Sequence, residues 1–86
     1  MSELKNTRSF QPIQEHLPVE DILSEVYKAL QTKGYDPVSQ IVGYIMSGDP
    51  TYITSYNNAR YLISQVERDD ILELVLKAYI QNVLEK

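Results

Sequence analysis

The sequence predicts an all-α fold, a small bundle of four to five short helices behind a flexible N-terminal arm and paired as a homodimer. Three observations lead there. Apolar residues recur at helical spacing in successive blocks with no strand-like alternation between them. Helix-stop glycines and Asp-Pro dipeptides punctuate those blocks, at Gly34, Asp36-Pro37, Gly48 and Asp49-Pro50. The chain has 86 residues, enough for one domain with a modest core.

Residues 1–17 are polar and aperiodic, with Leu4, Phe10, Ile13 and Leu17 as the apolar anchors, and read as a mobile arm pinned at Phe10 or Ile13. Residues 18–86 form the helical domain. Pro18 suits the first turn of a helix because its φ is fixed and it lacks an N–H. Glu20 and Asp21 follow at the positive end of the helix dipole. Val19, Ile22, Leu23, Val26, Tyr27 and Leu30 make one stripe, and Gly34 ends it in the left-handed conformation.

Asp36 caps a second helix with Pro37 at its first position. Its apolar residues are Val38, Ile41, Val42, Ile45 and Met46, and Gly48 stops it. Gly43 sits inside, where glycine costs about 1 kcal/mol against alanine, so close approach of a neighbouring helix is expected there. After the Asp49-Pro50 loop, Thr54 or Ser55 caps a third helix with Ala59, Leu62, Ile63 and Val66 as its stripe. Glu67-Arg68-Asp69-Asp70 interrupts the pattern and is read as a junction, with Asp69 as the cap of the next helix; one continuous bent helix is the alternative. In that last helix Leu72 and Leu76 lie off the Ile71, Val75, Tyr79 line, so it is apolar on more than one side. A surface helix needs one buried stripe, and the surplus points to either a central placement or a subunit contact; the seven tyrosines fit an interface or equally the edge of a small core with their hydroxyls outward.

Composition narrows the function. Cysteine is absent and His16 is the one histidine, which leaves no thiol chemistry and no ordinary zinc site. The net charge is −4 with the basic residues scattered, which disfavours nucleic acid. No apolar run has the length of a bilayer span and no secretory signal opens the chain, so a cytoplasmic protein without membrane insertion is expected. Asp69, Asp70 and Glu73 form an acidic first turn, whose ordinary purpose is dipole stabilisation. Neither a nucleophile elbow nor a phosphate loop is present. The expectation is a non-enzymatic protein with no cofactor and no metal.

The runs Lys33-Gly34-Tyr35, Gln40-Ile41-Val42-Gly43-Tyr44, Ser47-Gly48-Asp49-Pro50 and Glu67-Arg68-Asp69 resemble the signature of the IreB-like family, over about Glu25 to Tyr79. The resemblance implies an all-helical homodimer that is the substrate of a membrane Ser/Thr kinase with PASTA domains and of its partner phosphatase. It implies a regulator of peptidoglycan synthesis and of the response to wall-active antibiotics in Gram-positive bacteria. Its partners would include a cell-wall synthesis enzyme or the Clp protease machinery. The family's phosphoacceptor is a threonine three residues before a phenylalanine, which maps onto Thr7 before Phe10. Relatives carry four spaced arginines along the third helix and its end; here Arg60 and Arg68 remain, as the partner-binding pair, while Ser55 and Ser64 stand at the other two positions. The competing expectation is a constitutive structural or scaffolding homodimer with no regulated site.

Overall fold

The structure is a computed structural model that describes residues 17–86; Thr7, Phe10, Ile13 and His16 lie outside the described residues. Four α-helices follow in order: α1 (Val19–Thr32), α2 (Pro37–Ser47), α3 (Ala59–Ser64) and α4 (Arg68–Tyr79). Two 3-10 turns, Pro50–Tyr52 and Tyr56–Asn58, lie between α2 and α3, and a π-helical turn, Ile80–Leu84, extends α4. No strand occurs among the described residues. The all-α expectation is met.

Pro18 is the N-cap of α1 rather than its first helical residue, and its carbonyl accepts from the Asp21 and Ile22 amides, both at 3.0 Å. At the other end Gly34, at φ +84°, closes a Schellman motif. The Tyr35 amide donates to the Leu30 carbonyl at 2.9 Å and the Gly34 amide to Gln31 at 3.0 Å. Asp36 caps α2 as predicted, accepting from the Val38 amide at 3.1 Å and the Ser39 hydroxyl at 2.9 Å. The interior glycine has a cause different from the expected neighbouring helix. A Cβ at Gly43 would overlap the ring of Tyr52, which the first 3-10 turn lays against α2.

α1 is the central element and packs against α2, α3 and α4. The core comprises Ile22, Val26, Ala29 and Leu30 of α1, Tyr44 of α2, Ile53 between the 3-10 turns, Ala59, Leu62 and Ile63 of α3, and Ile71 of α4. Each fully buried isoleucine, such as Ile53 or Ile63, contributes about 1.5–3 kcal/mol through removal of apolar surface from water. The sequence stripe on α2 omits its one buried residue, Tyr44. Ile41 and Ile45 flank Tyr44 toward the core, while Val38, Val42 and Met46, spaced four apart, form a separate exposed line.

Two helix starts differ from expectation. Neither Thr54 nor Ser55 caps α3. The Thr54 hydroxyl instead accepts from the Tyr56 amide at 3.2 Å, and two left-handed residues, Asn57 and Asn58, lead into α3. Asparagine is among the few residues with a side chain that tolerate this region. The cap position of α4 falls on Glu67 rather than Asp69, so Asp69 and Asp70 occupy the first turn. The junction between the third and fourth helices is real, because α3 ends at Ser64 and α4 begins at Arg68.

Candidate functional site

Arg60 stands in the first turn of α3, half-buried, and its Nε donates to the Ile53 carbonyl at 2.8 Å. Ile53 leaves the preceding 3-10 turn in an extended conformation, at φ −108° and ψ 129°. The arginine thus ties the start of α3 to the end of that turn. One Nε–H is spent in this way, which leaves the two terminal amino groups of the fork for an external acceptor. Arg60 shares a hollow of about 350 Å³ with Pro50, Ser55, Asn58, Tyr61 and Ser64. Ser55 and Ser64, which replace two of the expected arginines, therefore line the same hollow as the arginine that remains. The Ser64 hydroxyl is committed to its own helix, donating to the Tyr61 carbonyl at 2.6 Å.

Arg68 opens α4 and its Nη1 donates to the Ile45 carbonyl at 2.9 Å, at the C-terminal end of α2. A cation there meets the negative end of the helix dipole. Its guanidinium lies against Gly48, where a Cβ would come within 2.9 Å of Cζ. Gly48 is thus required twice, by its φ of +75° and by the arginine over it. Arg68 borders a second hollow of about 490 Å³, with Ile45, Met46, Glu67, Asp69 and Leu72. The break between α3 and α4 separates the two arginines, and they line different hollows instead of one continuous helix face. Neither forms an ion pair among the described residues. The pairs present there are Lys28–Glu25 at 3.8 Å and Lys77–Glu73 at 3.1 Å.

Around these arginines the surface is polar and aromatic. Lys33 sits over the Tyr56 ring, 5.3 Å from its centre. Asp49 accepts from the Thr51 hydroxyl at 2.7 Å and the Thr51 amide at 3.0 Å. The hydroxyl bond, then the amide bond, hold its carboxyl below the usual range, with a further contribution from the Arg60 charge. On the acidic turn of α4, Glu73 is engaged with Lys77, and no cluster of three or more metal-binding side chains occurs among the described residues.

A second surface is apolar. Leu23 and Tyr27 of α1, Val38, Ile41 and Val42 of α2 and Val75 of α4 line a groove of about 510 Å³. It continues past Leu23 along Leu74 and Ala78. Beyond it Leu76, Tyr79, Val83 and Leu84 stand exposed on the far part of α4 and the π-turn. Sequence reasoning found the surplus apolar width of α4 but missed the groove. The signal for it is the pair Val38 and Val42, four residues apart, which belong to the groove and not to the core stripe.

A family model described as IreB regulatory phosphoprotein matches residues 5–81. The chain belongs to the IreB family. A relative described as a UPF0297 protein, from Lachnoclostridium phytofermentans, is 55% identical over 87 residues, covering 100% of this chain and 99% of that protein. IreB family membership carries a regulatory role, and the family pattern takes in both arginines and the segment holding Thr7. No helix among the described residues is long and apolar enough to cross a membrane.

Proposed function

We propose that this chain is a non-enzymatic regulator of peptidoglycan synthesis and of the response to wall-active antibiotics, switched by phosphorylation of Thr7. The observation that carries the proposal is the match over residues 5–81 to a family of regulatory phosphoproteins. The upstream enzymes are a PASTA-type Ser/Thr kinase and its phosphatase, in the cytoplasm. The downstream contact is with a cell-wall synthesis enzyme or the Clp machinery. Thr7 is assigned as acceptor by its spacing to Phe10. Phosphate there adds about −1.5 to −2 charge and three acceptor oxygens.

Arg60 and Arg68 are the partner-binding residues in this reading. Arginine suits carboxylate or phosphate because its planar fork donates two parallel hydrogen bonds. Support comes from the terminal amino groups of Arg60, which have no hydrogen-bond or ion-pair partner among the described residues and lie beside an open hollow. Self-association is assigned to the exposed Leu76, Tyr79, Val83 and Leu84, a row too apolar to be left in water. Light scattering at micromolar concentration is expected to give about twice the chain mass of 9.9 kDa, and a clean monomer rejects this part. The same apolar row suits a constitutive structural dimer. Incubation with a PASTA-type kinase and ATP separates the two: mapping by mass spectrometry finds phosphate on Thr7 and none on Thr7→Ala, whereas an unmodified chain favours the structural dimer.

A further inference from the structure

Leu72, Leu76, Tyr79 and Val83 are all exposed, and together they form one stripe along α4 and its π-turn. At 3.6 residues per turn they fall within about 60° of one another. The stripe is separate from Ile71, the one α4 residue buried in the core. It is about 17 Å long, eleven residues at 1.5 Å per residue. Its two halves have different surroundings. Leu72, with Val75 beside the stripe, lines the apolar groove together with Tyr27, Val38 and Val42. The far half has no such neighbours, because among the described elements the π-turn packs against α4 alone.

The spacing along the stripe is four, three and four residues, which reads the same in both directions. Such spacing is that of helices packed side by side with knobs in holes. Two copies of α4 set antiparallel, about a twofold axis between Lys77 and Ala78, bring every stripe residue level with another. Leu72 comes level with Val83 of the second copy, and Leu76 with its Tyr79. Because the groove is edged by the near half of the stripe, the same axis carries the uncovered far half of one copy to the groove of the other. A different protein seated in the groove leaves that far half in water. A second copy covers both at once, and does so twice. The stripe residues and Val75, with Tyr27, Val38 and Val42 of the groove, are 46–70% exposed. That is an area of roughly 800 Å² on each copy, the amount a stable interface of standard size buries per partner.

We propose that the groove between α1, α2 and α4 is the receptor for Tyr79 and Val83 of a second copy, with the two α4 helices antiparallel and Leu76 of each against Tyr79 of the other. The proposal rests on the self-association assigned above to the far end of α4 and supplies its receptor and its register. A contact of this kind uses the same surface on both subunits, so it closes at two copies and leaves no groove open for a third. It is independent of whether Thr7 is phosphorylated.

The absence of cysteine makes any introduced thiol unique. In the antiparallel register, position 72 of one copy is level with position 83 of the other, whereas two copies of position 72, or two of position 83, are about 17 Å apart. A disulfide needs Cα atoms within about 7 Å. Full chains carrying Leu72→Cys and Val83→Cys, both at half-exposed positions, are oxidised separately and as a mixture equilibrated under reducing conditions. Non-reducing gels are expected to show a covalent dimer in the mixture and little in either variant alone, and mass spectrometry is expected to find one chain of each kind in it. Cross-linking as strong in a single variant as in the mixture overturns the proposal. So does a mixture that fails to cross-link while light scattering still gives twice the chain mass, an outcome that leaves self-association standing through another face. A clean monomer by light scattering overturns the proposal and the self-association together.

Discussion

Adding one methyl group at Gly43 tests the packing of α2 against its following turn. In an ordinary helix interior, glycine to alanine stabilises by about 1 kcal/mol. Here the new Cβ falls inside the ring of Tyr52. That ring cannot simply translate, because the Tyr52 carbonyl accepts from Gln40 Nε2 at 2.8 Å and its amide donates to the Asp49 carbonyl at 3.2 Å. Overpacking of this kind costs about 1–3 kcal/mol. Set against the propensity gain, Gly43→Ala is expected to destabilise the parent by about 1 kcal/mol. In the Tyr52→Ala background the obstacle is gone, and the same change is expected to stabilise by about 1 kcal/mol. The coupling is therefore about 2 kcal/mol, within the range for residues in contact. Urea melts of the four proteins read it directly, provided the denaturant slope is constant. Stabilisation of the same size in both backgrounds refutes the packing argument.

Two further predictions follow from the site. Arg60→Ala and Arg68→Ala each remove a hydrogen bond to a backbone carbonyl, and each is expected to lower stability by about 1–2 kcal/mol, with losses that add because the residues line separate hollows. Thermal melting checks this, and unchanged midpoints contradict the anchoring roles. Asp49 has a lowered folded-state pKa, so its contribution to stability is fully present above the ordinary carboxylate value of about 3.9 and fades as pH falls through the lowered one. The stability deficit of Asp49→Asn is therefore expected near neutrality and vanishes in strong acid; a deficit that is independent of pH removes the Thr51 bonds as its cause.

Local rules were legible where a single residue decides the geometry. Asp36-Pro37, Gly34 and Gly48 each set a helix end through capping or a positive φ, and each appears where the sequence placed it. Features set by tertiary contact were not legible. Tyr44 is buried in the core shared with the other helices, and no periodicity within α2 expresses this. The start of α3 depends on Asn57 and Asn58 adopting left-handed conformations in succession, which propensity alone does not demand. For the site, residue types suggest a charged pair, and eight-residue spacing would put Arg60 and Arg68 on one face of a continuous helix. Their separation follows from the break at Gln65–Glu67. Their anchoring bonds run to carbonyls 7 and 23 residues away in the chain, beyond the reach of any local pattern.

The proposed phosphorylation of Thr7 is read directly by intact mass. Protein purified from cells that hold the cognate PASTA-type kinase is expected to show a species heavier by one phosphate. That species is absent from cells lacking the kinase and from the Thr7→Ala variant. A single unmodified mass under all three conditions, in cells where the kinase is active on another substrate, contradicts the claim.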